Sequence, residues 1–346
     1  MPSRRLIATL VVAAVVVTAC GASTPDPTEV ALMTHDSFLV SDGVLEAFTE
    51  ETGITVTVLR SGDAGTMVNQ AILTKDNPIA DVMYGVDNAF LSRAIAEGLF
   101  LPYSATEIDR VPDALRIEGD PVTPIDFGDV CINSDIAGLA GIDVAAPSEL
   151  QDLTDPAYRG LFVVQDPSTS SPGLAFLLAT IDTFGEDGDY TWQDYWADLV
   201  ANDVLITQGW EDAYNLEFSG GSGVGTRPLV VSYASSPPAE VFFGGLDEAP
   251  TAVVTAGCFR QVEYAGVLAG SGNEESARRL VDYLLSVRFQ EDIPLTMFMF
   301  PSNQDAALPD VFLEHTTIPS DPVTMSSDEI DAHRERWIDE WAQIVR

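Results

Sequence analysis

The chain has 346 residues, with 54 acidic against 16 basic side chains and a formal net charge of −38 at neutral pH. A surface this acidic repels nucleic acid and anionic lipid, which makes both poor partners; it draws cations only as a long-range bias that salt screens. The body is too long for one ordinary core and suits two lobes.

In chain order, residues 1–19 read as a secretory signal. Arg4 and Arg5 form a basic head, and Leu6 to Val17 is an apolar run too short to stay as a membrane span. The sequence Val17-Thr18-Ala19-Cys20-Gly21 resembles the bacterial lipobox, so Cys20 is expected to be lipidated and residues 20–28 to tether the body. The expected address is the cell membrane, anchored on its extracytoplasmic side.

From Glu29 the pattern alternates strand and helix. Val30–Met33 is a short apolar strand; Ser41 is expected to cap a helix with Val44, Leu45 and Phe48 inward, closed by Gly53. Ile54–Leu59 alternates β-branched residues, and Asp63 and Gly65 begin a helix with Met67, Val68, Ala71 and Ile72 buried. A strand over 80–85 and a helix opened by Asp87-Asn88 and stopped by Gly98 complete a βαβαβα rhythm, which implies a parallel sheet covered on both faces.

The second lobe is expected from residue 125, with a buried strand over 161–165 and a helix over 172–184 whose cap is Ser171. An aromatic-rich helix over 190–201 and strands over 204–207 and 229–233 follow. Between Gly257 and Val267 the chain returns to the first lobe, which carries a helix over 276–286. Trp337 and Trp341, four apart, pin a C-terminal helix to the body. Two cysteines remain after Cys20, and in an oxidising compartment Cys131 and Cys258 suggest a disulfide.

Catalytic signatures are missing: Gly221-Ser222-Gly223 lacks nucleophile-elbow spacing, and no dinucleotide or Walker run follows a strand. His35, His315 and His333 are isolated, so neither metal nor cofactor is expected. What stands out is polar and aromatic turns just after strands, where open α/β sheets bind ligands. They are Thr34-His35-Asp36-Ser37-Phe38, the run Gln165 to Gly173, Thr207-Gln208-Gly209-Trp210 through Tyr214, and Val231 to Pro237. With Gly85-Val86-Asp87-Asn88, Phe298-Met299-Phe300-Pro301 and the ending Arg336-Trp337-Ile338-Asp339-Glu340-Trp341, they resemble the thiamine-binding proteins of ABC importers over nearly the whole body.

The resemblance implies a two-lobed α/β periplasmic-binding-protein fold of type II. Its first lobe is 29–124 with 259–310, its second is 125–258, and 311–346 is a helical segment of unassigned lobe. It implies a monomeric, non-enzymatic carrier that hands thiamine or its phosphates to an ABC permease. Trp210 and Tyr233 would wall the cleft, although Tyr233 ends an apolar strand and fits a core equally well. Asp63 would meet the cation or the aminopyrimidine, or merely cap its helix. Ser170 and Ser171 would hold the hydroxyl or phosphate tail at a helix start, with Ser236 as a weaker candidate, and Ser171 also fits a plain cap.

Where thiamine binders carry rings this chain has His35, Phe298 and Ala239, of which only Ala239 cannot stack. Hinge strands run side by side in such folds, so a Cys131–Cys258 bridge fits. Two alternatives stay open. One is a binder of another small organic cation or a metal ion; the other is a thiaminase-like enzyme with Cys131 as nucleophile and Glu263 as base.

Overall fold

The computed structural model describes residues 29–119, 121–221 and 224–346, so the signal, Cys20 and the tether lie outside the described residues. The first lobe opens with β1 (Glu29–Thr34), α1 (Val44–Thr52), β2 (Thr55–Arg60), α2 (Ala64–Leu73), β3 (Val82–Asp87) and α3 (Leu91–Ala96). As the alternation implies, β1 pairs in parallel with β2 and β3. The cap of α1 is Gly43 at φ 88°, not Ser41, and Glu46 accepts the Gly43 N–H. Only glycine enters that left-handed conformation without strain.

After β4 (Phe100–Leu101), β5 (Thr123–Asp135) runs thirteen residues out of this lobe. It leads into α4 (Ile136–Gly141), β6 (Phe162–Gln165), α5 (Ser171–Phe184), α6 (Trp192–Ala201), β7 (Leu205–Thr207), β8 (Leu229–Tyr233) and α7 (Pro237–Gly244). β9 (Thr251–Leu268) then returns, followed by α8 (Glu274–Leu285), α9 (Val287–Gln290), α10 (Ile293–Thr296), β10 (Phe300–Pro301), α11 (Asp310–His315) and α12 (Ser327–Val345). Ser170 occupies the cap position of α5 and Ser171 is its first residue, one step earlier than the sequence suggests, with no side-chain cap bond.

The expectation of a parallel sheet needs one correction. β6 pairs in parallel with β7 and β8, but β9 is antiparallel to β3 and to β5, and β5 to β8. The strands therefore join in one path, β2-β1-β3-β9-β5-β8-β6-β7, with two parallel ends and an antiparallel middle. The middle is the link between two α/β lobes. β3 meets β9 at Glu263 to Val267, whereas β8 meets β5 at Val130 to Ser134. Between those zones lie Gly128 opposite Gln261 and Asp129 opposite Arg260.

Arg260 grips the buried Asp129 carboxylate there, with Nε 2.6 Å from one oxygen and an NH2 3.2 Å from the other. A two-pronged pair of this kind fixes orientation as well as charge. Just on the second-lobe side, Cys131 and Cys258 are joined as a disulfide, both 1% exposed. Behind both lobes runs α12. Its Trp341 meets Trp196 of α6 edge-on at 5.6 Å, and its Arg334 donates to Ala89 O and Ser92 Oγ beside α3.

Candidate functional site

A cleft of about 400 Å³ lies where the strand ends of the two lobes face each other. That is within the range of roughly 300–1,000 Å³ found for small-molecule sites. One wall comes from the first lobe. His35 follows β1, and its ring rests against Gly85 of β3, where a Cβ would stand 2.3 Å from the ring. Gly85 also has φ +100°, so glycine is required twice over.

His35 Nε2 lies 3.3 Å from Glu263 Oε2, an ion pair without hydrogen-bond alignment. Burial works to lower the His35 pKa, but the Glu263 charge, aided by Asp63 and Asp126, overrides it and raises the pKa to about 9. Glu263 accepts from Gln261 Nε2 at 3.0 Å, and Gln261 in turn exchanges hydrogen bonds with Tyr233 Oη at 3.1 and 3.3 Å. A polar chain thus runs from His35 through the hinge to the opposite wall. Beneath it, Asp126 takes a short hydrogen bond from Tyr84. Burial, then Glu263, pushes the Asp126 carboxyl well above the carboxylate range. Burial likewise lifts Asp87 to about 6.

The second lobe builds the other wall from rings. Trp210 stacks on Tyr214 with centroids 4.8 Å apart and planes 16° from parallel. The Trp210 indole N–H donates to Ser232 Oγ at 2.9 Å, which pairs with Ser236 Oγ at 2.9 Å. Tyr214 Oη donates to Glu240 at 3.0 Å. With both polar ends tied down, the exposed faces are apolar and electron-rich, suited to stacking and to cations.

The expected residues mostly converge. His35, Asp63, Ser171, Trp210, Tyr233, Ser236 and Phe298 all line the cleft, whereas Ser170 is fully buried beside Asp63 and is absent from the described lining. Trp210 is half-buried at the start of a short helical stretch, with one side packed against the cluster of Val163, Ala213, Tyr214, Phe218 and Val230. Asp63 both caps α2 and lines the cleft, but its carboxylate is engaged by backbone N–H groups of Ala64 and Trp210, so its role is not simply that of a free counter-charge.

The rings Tyr214 and Phe243 and the acids Glu211 and Glu240 are further lining residues that the sequence reading did not single out. Helical spacing was the missed signal: Tyr214 lies four residues after Trp210. Phe243 lies four after Ala239 on α7, so the ring that position 239 lacks is supplied one turn later. Phe243 is 67% exposed and meets Phe298 of the first lobe edge-on at 5.6 Å, at the rim of the cleft.

Comparison with known proteins agrees with this architecture. Residues 77–318 match the family model for bacterial extracellular solute-binding protein. The chain is 30% identical over 320 residues to the thiamine-binding periplasmic protein of Escherichia coli (strain K12), covering 90% of this chain and 92% of that one. It is 28% identical to the thiamine-binding periplasmic protein of Brucella suis biovar 1 over 90% of each chain. A solved structure of a periplasmic thiamin binding protein superposes with a TM-score of 0.82 at 28% identity, covering 94% of this chain and 98% of that one.

Proposed function

The chain belongs to the family of bacterial extracellular solute-binding proteins, and we propose that it captures thiamine outside the cytoplasm and delivers it to an ABC permease. One observation carries the ligand: a single cleft sets stacked rings, Trp210 on Tyr214, across from Asp63 and Glu263 of the first lobe. Thiamine is a flat aminopyrimidine joined to a cationic thiazolium. Each ring face over the cation contributes roughly 0.5–2 kcal/mol when water is excluded. The relatives named for thiamine support the same assignment.

In this reading residues 29–124 with 259–310 and residues 125–258 are the bodies that close on the ligand, and the closed form docks on the permease. His35, Asp63, Ser170, Ser171, Trp210, Tyr233, Ser236 and Phe298 are the proposed ligand-binding set, with Ser170 acting from beside Asp63. Among the described residues no helix is long and apolar enough to cross a membrane. A lipid anchor at Cys20 and a monomeric state belong to the same proposal.

The enzyme alternative requires a free thiolate at residue 131. Cys131 is bonded to Cys258 and is absent from the described lining of the cleft, which favours a carrier. The metal alternative has no group of three or more His, Cys, Asp or Glu arranged around a site among the described residues. Calorimetric titration with thiamine and choline tests the organic reading. Thiamine is expected to bind at least tenfold more tightly, because choline keeps the charge and lacks the rings. Equal affinities would remove the rings from recognition.

A further inference from the structure

The cleft already contains one group able to carry positive charge. His35 Nε2 faces Glu263 Oε2 at 3.3 Å, and the two side chains are 13% and 8% exposed. The nitrogen has no aligned hydrogen bond, so the pair is held by charge rather than by a directed bond. Glu263 is fixed from its other oxygen, where Oε1 accepts from Gln261 Nε2 at 3.0 Å. The described lining holds neither lysine nor arginine, which leaves His35 as its one ionisable base.

The imidazole has nowhere to retreat. Its ring rests on Gly85, where even a Cβ would stand 2.3 Å away, and the Tyr84 ring lies 6.2 Å off between centroids. The ionisable groups around it are Glu263 on β9, Asp126 on β5, Asp63 at the start of α2, and Tyr84 on β3, whose hydroxyl donates to Asp126. Tyr233 of the second lobe reaches Glu263 through Gln261. Burial works to strip the proton from His35, yet Glu263 foremost, with Asp63 and Asp126, outweighs it and lifts the pKa to about 9. At neutral pH the empty cleft therefore carries an imidazolium.

We propose that a cationic ligand and the His35 proton exchange for one another, so that capture expels H+ into solvent while Glu263 changes partner from imidazolium to ligand. This rests on the thiamine reading and deepens it. Two positive charges in one cleft of about 400 Å³ repel strongly once water is excluded. A locked ring relieves that conflict by losing its proton, and the neutral imidazole keeps its flat face for stacking. One positive charge leaves as another arrives, so the net charge of the cleft is unchanged. Affinity for the cation rises with pH as the empty protein gives up the same proton unaided, and levels off above about 9.

Calorimetry of the full chain, in buffers of equal pH and different ionisation enthalpy, counts the protons released. At pH 8 wild type is expected to release roughly 0.5–1 proton per thiamine bound, and its affinity to rise at least about threefold from pH 7.5 to 9. His35→Gln keeps a hydrogen-bonding side chain that does not titrate, and is expected to bind with no release and a flat profile. The uncharged aminopyrimidine half of thiamine brings no competing charge, and is expected to leave the wild-type proton in place. Thiamine binding without proton release overturns the proposal and leaves the thiamine reading intact. So does release that persists in His35→Gln, or that accompanies the neutral fragment equally. A wild type that does not bind thiamine overturns the thiamine reading itself. The wild-type proton count needs no variant, so the proposal stays exposed even if His35→Gln fails to fold.

Discussion

The two walls of the cleft solve different problems. The first-lobe wall carries a titratable pair, His35 raised to about 9 against Glu263, and the fully buried Asp87 and Asp126, outside the described lining, are lifted by burial. The second-lobe wall is a set of rings with their polar ends tied off, Trp210 to Ser232 and Tyr214 to Glu240, beside a disulfide that joins β5 to β9. One wall supplies a titratable charge pair, and the other supplies chiefly ring surface beside Glu211 and Glu240. A flat cation needs both, and neither wall alone would distinguish it from a metal ion or a plain aromatic.

The covalent brace belongs to the second wall, and its removal is expected to have the largest effect. Cys131 and Cys258 are 127 residues apart. Closing a loop of that order contributes about 4–5 kcal/mol in the chain-entropy account. The double variant Cys131→Ala/Cys258→Ala should therefore unfold at much lower urea than wild type. An unchanged midpoint would show the second lobe to be no more braced than the first. Next in size is Trp210→Ala, expected to weaken thiamine binding more than tenfold by calorimetry, since it removes a cleft ring and leaves Tyr214 without its stacking partner. Undiminished affinity would move recognition to the charged wall.

The smallest effect concerns the first wall and is read by pH. A histidine whose pKa is raised on folding contributes stability that is whole below its unfolded pKa of about 6.5 and is lost as pH rises through about 9. Asp87 acts in the same direction at lower pH. Its carboxyl binds a proton more tightly when folded, so its contribution fades as pH rises from the unfolded value to about 6. The melting temperature should fall by a few degrees between pH 6.5 and 9.5 in wild type, and by clearly less in His35→Gln. Identical slopes in the two proteins would detach His35 from the linkage.

Much of this was legible in sequence because local rules and tertiary structure agree. A short apolar run marked β1, alternation of β-branched residues marked β2, and the post-strand turns marked His35 and Trp210. The long strands β5 and β9 escaped because their path through the link is buried nearly throughout, which erases the two-residue period that marks a half-exposed strand. Glu263 and Gln261 sit on that hidden stretch, so the polar chain reaching Tyr233 could not be read either. The engagement of Asp63 was hidden for another reason: the N–H groups of Ser171 and Trp210 come from the other lobe, more than a hundred positions away.

The course of α12 constrains how the molecule opens. A helix seated on Trp196 at one end of its reach and on Ala89 and Ser92 at the other has footing on both lobes. Parting them by sliding or by twisting would shear one footing away. A rotation whose axis passes close behind the cleft keeps both, and the same geometry makes the rim near Phe243 and Phe298 travel farthest. Access for an incoming solute would then widen from the rim inward, so the aromatic edge is the first surface it meets.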